Sequence, residues 1–180
     1  MRSSRRRPVP EGEPAGAPAT AENQEQAARA IVLRQLTITS RSREQLRVKL
    51  EQRGIPDDVS ERVLDRFTEV GLIDDAAYAE MLVRTGRESR GLSRRGLAVE
   101  LRKRGVDGDT AAAAIDAVDD EAEFATALRL AERKAASTIG LERAVRERRI
   151  AGMLARKGYG SSVVYRAVGE VLAADSGFRD

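Results

Sequence analysis

Residues 101–106 read Leu-Arg-Lys-Arg-Gly-Val, and the same shape recurs as Leu-Glu-Gln-Arg-Gly-Ile at 50–55 and Leu-Ala-Arg-Lys-Gly-Tyr at 154–159. Each copy is a leucine, three mostly polar residues with a base just before the glycine, the glycine, and a large apolar residue. A helix that ends in a left-handed residue just past its cap favours glycine there, because no Cβ meets the preceding carbonyl. In that closure the next residue is usually apolar and folds back on the residue four before the glycine. The pairs are Ile55 on Leu50, Val106 on Leu101 and Tyr159 on Leu154. The residues that follow, Pro56, Asp107 and Gly160, suit the start of a second helix. Each copy therefore predicts two helices joined by a glycine turn.

The similarity extends outward. Residues 42–67, 93–118 and 146–171 align without gaps. Leu46, Leu97 and Ile150 coincide, as do Leu50, Leu101 and Leu154; Leu64, Ile115 and Val168 coincide further on, then Phe67, Val118 and Val171. The period is 51 residues from 46 to 97 and 53 from 97 to 150. Residues 22–37, 75–89 and 120–137 precede these pairs and carry apolar side chains at helical spacing, with short joints at 71–74 and 119–120. The fold class this predicts is all-α, with nine helices in three tandem three-helix units (23–70, 71–118 and 119–175) forming an elongated, curved array. Residues 1–22 hold four of the five prolines and little apolar surface, which predicts a disordered tail.

Composition narrows the chemistry. Aromatic residues make up only 3%, so the core is expected to be Leu, Val, Ile and Ala, which suits closely packed helices. Without Cys or His there is no thiol nucleophile, no disulfide and neither the commonest general base nor the commonest metal ligand. No apolar run is long enough to span a bilayer, and the basic start has no apolar segment after it. The expectation is a soluble, cytoplasmic protein that is no enzyme, with no cofactor, no metal, no membrane and no small-molecule substrate. Three short motifs have structural readings. Asp74 and Asp75 begin a helix, where carboxylates meet free N–H groups; Ser42 and Gln45 form a capping box; and 91–96, GLSRRG, lacks the spacing of a phosphate loop.

Charge is distributed unevenly. Residues 84–104 hold eight bases (Arg84, Arg87, Arg90, Arg94, Arg95, Arg102, Lys103 and Arg104) against Glu88 and Glu100, whereas 105–123 hold seven acids and no base. The third unit's middle helix adds Arg143, Arg146, Arg148, Arg149, Arg156 and Lys157 against Glu142 and Glu147, and 41–53 is basic as well. Two accounts of this pattern stand side by side. In one, middle helices stacked in register present a positive ribbon to a polyanionic partner, with Arg84 to Arg104, Arg146, Arg148, Arg149, Arg156 and Lys157 as the contacts. In the other, neighbouring helices neutralise each other and bases near helix C-termini complement the dipole. The glycine turn also leaves open a helix-turn-helix protein that binds DNA directly.

In combination, RSREQLRVKLEQRGIPDDVSERVLDRF (41–67), GLIDDAAYAEMLVRTGRESRGLSRRGLAVELRKRGV (71–106) and RRIAGMLARKGYGSSVVYRAV (148–168) resemble the RecX family of recombination regulators, over about residues 26–174. The middle block carries most of the likeness, through Asp74, Asp75 and Tyr78 at its head and Arg94, Leu101, Arg104 and Gly105 in its basic helix. The resemblance implies a three-unit helical repeat that binds the RecA recombinase filament. It also implies inhibition of ATP hydrolysis, strand exchange and coprotease activity without catalysis of its own, with single- or double-stranded DNA as a further contact. The Pro-rich tail and Pro56, where a small polar cap is usual, depart from the family pattern.

Overall fold

The computed structural model describes residues 20–176, so the tail expected over 1–22 falls almost wholly outside the described residues. Its last part does not: Thr20 caps the first helix, accepting a hydrogen bond from the Asn23 N–H. Among the described residues there are nine α-helices and no strand. The first unit is α1 (Ala21–Ile38), α2 (Arg43–Glu51) and α3 (Asp57–Glu69); the second is α4 (Asp75–Arg90), α5 (Arg94–Lys103) and α6 (Gly108–Asp116); the third is α7 (Asp120–Ala136), α8 (Arg143–Arg156) and α9 (Ser161–Ser176).

The three glycine turns close as the sequence predicts. Gly54, Gly105 and Gly158 have φ of 73°, 75° and 93°. Their N–H groups donate to Glu51, Arg102 and Ala155, while Ile55, Val106 and Tyr159 donate back to Leu50, Leu101 and Leu154 at 3.2, 3.1 and 3.3 Å. These are the paired bonds of a Schellman closure, and they satisfy carbonyls that the helix end would otherwise leave open. Helix starts follow the same economy. Ser42 and Gln45 form the reciprocal capping box, and Asp74, Ser93, Asp107 and Asp119 each accept from the first turn that follows. Pro56 caps α3 without a side-chain bond.

Each unit buries its own core. Leu46, Leu50, Leu64 and Val63 centre the first; Leu97, Leu101, Ala79 and Val118 the second; Ile150, Leu154, Ala127 and Leu172 the third. Ile115 and Val168, aligned with the buried Leu64, are only partly covered. Within a unit, every helix packs on the other two. Burial of one such leucine contributes about 1.5–3 kcal/mol, so each unit has an apolar centre independent of its neighbours.

Between units, the middle helices meet end to end. The Ser42 hydroxyl at the start of α2 donates to the Arg104 carbonyl at the end of α5. One joint further along, the Ser93 N–H at the start of α5 donates to the Lys157 carbonyl at the end of α8, at 3.1 Å. Each of these joints therefore brings the positive end of one helix dipole to the negative end of the next. The approach is close. A Cβ on Gly158 would lie 2.6 Å from the Gly96 nitrogen and 2.7 Å from Ser93 Oγ, and one on Gly105 would lie 2.5 Å from Glu44 Cβ. Gly54, at the end of α2, has open space among the described residues instead. The same division shows in the serines: Ser42 and Ser93 are buried where a following unit docks, and the aligned residue of the last unit is Arg146.

Candidate partner-binding surface

Side chains from the outer helices brace the joints and engage part of the basic set. Asp75, the first residue of α4, accepts the Arg43 N–H at 2.8 Å and so caps α2 of the preceding unit; Glu123 of α7 does the same for the Arg94 N–H of α5, also at 2.8 Å. Burial pushes the Asp75 carboxyl above the usual aspartate range, against the Arg43 N–H that lowers it. The Arg94 guanidinium reaches Asp120 and Glu123, tying the second unit to the third. Lys157 Nζ donates to the Arg90 carbonyl, and the buried Tyr159 hydroxyl donates to the Gly91 carbonyl at 3.1 Å. Burial pushes that phenol up to about 12. At the other joint the Tyr78 hydroxyl donates to Gln45 Oε1 at 3.1 Å, and Arg104, held by Tyr78 and Glu100, has its guanidinium pKa raised further.

Sorted by surroundings, the sequence-predicted bases fall into two groups. Arg94, Arg104 and Lys157 serve the joints; Arg90 pairs with Glu100 at 3.4 Å, and Arg146 donates to the Ala135 carbonyl. By contrast Arg84, Arg87, Arg95, Arg102, Lys103, Arg148, Arg149 and Arg156 make no ion pair among the described residues, and all but the half-buried Arg87 are exposed. Exposed ion pairs contribute little to stability, so the useful distinction is which cations are already engaged.

Four of the open cations, Arg84, Arg87, Arg102 and Lys103, line clefts beside the joints, together with bases already engaged. Between the second and third units, a cleft of about 490 Å³ is lined by Arg84 and Arg87 of α4 and Arg129 of α7, with Glu80 and Glu88 beside them. It continues into a second hollow of about 520 Å³ that adds Arg90, Arg133 and Lys157. Beside the first joint, Arg41, Lys49, Arg102, Lys103 and Arg104 line a hollow of about 510 Å³ with Glu44, whose carboxyl Arg47 holds below its usual range. Such concentrations of guanidinium beside low-dielectric walls raise the local potential and attract carboxylates or phosphates. Arg41, Arg129 and Arg133 are not in the set that the sequence singles out. Arg41 falls in the basic stretch 41–53, which supplies no residue to that set, and the others lie on an outer helix, which a count over the middle helices passes by.

The repeat supplies an internal comparison. Positions on α1 map to α4 by adding 51, as Ala28 and Val32 become Ala79 and Val83; positions on α4 map to α7 by adding 48, as Asp75 and Ala79 become Glu123 and Ala127. The cleft between α1 and α4, about 440 Å³, is lined by Leu33, Leu36 and Met81; the equivalents between α4 and α7 are Arg84, Arg87 and Arg129. Packing at the joint therefore does not require arginine there.

Family models for the first, second and third three-helix domains of RecX match residues 28–67, 74–115 and 121–168. Regulatory protein RecX of Thermobifida fusca is 51% identical over 90% of this chain and 88% of its own length. That of Streptomyces coelicolor is 49% identical over 81% and 77%, and that of Mycolicibacterium smegmatis 46% over 92% and 88%. Among solved structures, RecX from Lactobacillus salivarius superposes with a TM-score of 0.75 at 22% identity, covering 83% of this chain and 97% of that one. A second crystal structure of a regulatory protein RecX gives 0.74 at 25% identity, over 83% and 74%.

Proposed function

Since the chain belongs to the RecX family of regulatory proteins, we propose that it binds the RecA recombinase, or the filament RecA forms on DNA, and inhibits its ATPase, recombinase and coprotease activities. The observation that carries this reading is the pair of substituted clefts. Arg84, Arg87 and Arg129 stand where the same joint, one unit earlier, has Leu33, Leu36 and Met81. The three guanidiniums form no ion pair among the described residues although Glu80 and Glu88 line the same cleft, and they suit an acidic protein surface or a phosphate backbone. Several small sites on one jointed array add their affinities when they engage a repetitive partner together. Arg95, Arg102, Lys103, Arg148, Arg149 and Arg156 extend the contact on the middle helices.

Direct DNA binding through the glycine turns fits less well. The turns at Gly105 and Gly158 are covered by Glu44 and by Ser93 and Gly96 of the neighbouring units, which leaves only the Gly54 turn open to enter a groove. The deciding assay is RecA's DNA-dependent ATPase titrated with substoichiometric amounts of this protein. Progressive inhibition is expected, with weak, steeply salt-dependent binding to naked DNA. Unchanged ATPase, or sequence-selective DNA binding at moderate salt without RecA, would overturn the reading.

A further inference from the structure

The apolar member of the cleft pair has its own chemistry. Leu33, Leu36, Leu72 and Met81 line the hollow between α1 and α4, and Leu33 and Leu72 are 49% and 54% exposed. Large aliphatic side chains kept open to water in a cleft mark a contact site more often than a solvated surface. The same hollow is bordered by Arg41, which makes no ion pair among the described residues and whose Nε is buried with no hydrogen-bond partner. A buried guanidinium N–H without an acceptor is costly and is relieved by an incoming carboxylate. The other charged group on the rim is Asp74, and its carboxylate already caps α4 through the Ala77 N–H at 2.8 Å.

We propose that this cleft takes a segment of a partner protein that presents a large apolar side chain beside a carboxylate, the apolar group entering among Leu33, Leu36, Leu72 and Met81 and the carboxylate meeting Arg41. A nucleic-acid backbone does not match, since the hollow offers it aliphatic walls and a single cation. The two clefts then divide the work: the α1–α4 cleft anchors protein, and the α4–α7 cleft meets concentrated negative charge. The assignment rests on the reading that the partner is RecA, so the RecA filament on single-stranded DNA is the probe.

Leu33→Glu with Leu72→Glu places charge at two exposed positions that the fold tolerates, and Arg41→Gln removes the cation separately. The double variant is expected to bind the filament at least about tenfold more weakly, and Arg41→Gln about threefold. Helical content stays as in the unaltered chain, and binding to naked single-stranded DNA falls by much less than binding to the filament. Filament affinity within about twofold for both variants overturns the proposal, as does an equal loss on naked DNA. Sedimentation covers another occupant: an unaltered chain that dimerises, with a monomeric double variant, would give the cleft to a second copy and refute the assignment. An unaltered chain that fails to bind the filament at all removes the RecA reading and this proposal with it, an outcome separate from variants that bind as well as their parent.

Discussion

Gly96→Ala inverts the usual sign of a glycine substitution in a helix. Gly96 lies inside α5 with ordinary helical geometry, so alanine should stabilise that helix by about 1 kcal/mol. At this site, however, the new Cβ would lie well inside van der Waals contact distance of the Lys157 carbonyl oxygen and 3.3 Å from its carbon, both backbone atoms of the next unit. Neither can rotate away, so the end of α8 must withdraw from the start of α5. Withdrawal lengthens the Ser93 N–H bond to Lys157 and the Tyr159 hydroxyl bond to Gly91, each 3.1 Å now, and uncovers Ser93. At about 1–1.5 kcal/mol per buried bond, the loss is roughly 2–3 kcal/mol, and after the helix gain the net destabilisation is about 1–2 kcal/mol. Gly152→Ala is the control, because in α8 its Cβ meets only Arg156 Nη1, at 3.4 Å, and it should stabilise by about 1 kcal/mol. Since units of a repeat array unfold semi-independently, hydrogen exchange resolved by helix is the assay, with urea unfolding beside it. Protection of α7–α9 should fall in Gly96→Ala and rise in Gly152→Ala. Equal stabilisation by the two alanines would refute the end-to-end joint.

Three further outcomes follow from the same geometry. Gly54→Ala should cost about 1–2 kcal/mol, from its left-handed backbone alone, whereas Gly158→Ala should cost clearly more, because its Cβ also meets Gly96 and Ser93; equal costs in urea titration would deny the second role. The Tyr159 phenol, pushed up to about 12 by burial, contributes stability that is complete below its unfolded value near 10 and is lost as pH rises through about 12. That gap amounts to roughly 2–3 kcal/mol, and Tyr159→Phe should abolish this alkaline loss as followed by circular dichroism between pH 9 and 12. Reversing Arg95 and Arg102, both exposed and seven residues apart on α5, should weaken inhibition of RecA with helicity intact; undiminished inhibition would place the contact on another face.

What the sequence disclosed and what it withheld divide along the range of the interactions. The helix ends at Gly54, Gly105 and Gly158 were legible because cap, glycine and apolar lock lie within six residues, and the repeated Leu50, Leu101 and Leu154 mark the cores for the same reason. The joints join residues about 60–70 positions apart, such as Ser42 with Arg104 and Tyr159 with Gly91, and helical periodicity carries no register between units. One signal was available: serine at 42 and 93 but arginine at 146, which separates the units that receive a neighbour from the one that does not. Counting charge by helix placed Arg94 with the open cations, although Asp120 and Glu123 hold it. It passed over Arg129 and Arg133, which reach the cleft from the acidic side of the joint. Asp75, which the sequence assigns with Asp74 to its own helix start, instead caps α2 of the unit before, a role that no local pattern encodes; Asp74 alone caps α4.

The salt dependence of filament binding bears most directly on the central claim, that arginines left open beside the second joint hold the partner. Affinity for RecA assembled on single-stranded DNA is measured across a salt series for the unaltered chain and for a triple variant with Arg84, Arg87 and Arg129 replaced by Gln. The expected result is weaker binding with the slope of log affinity against log salt shallower by about 2. Superimposable lines for the two proteins would contradict it.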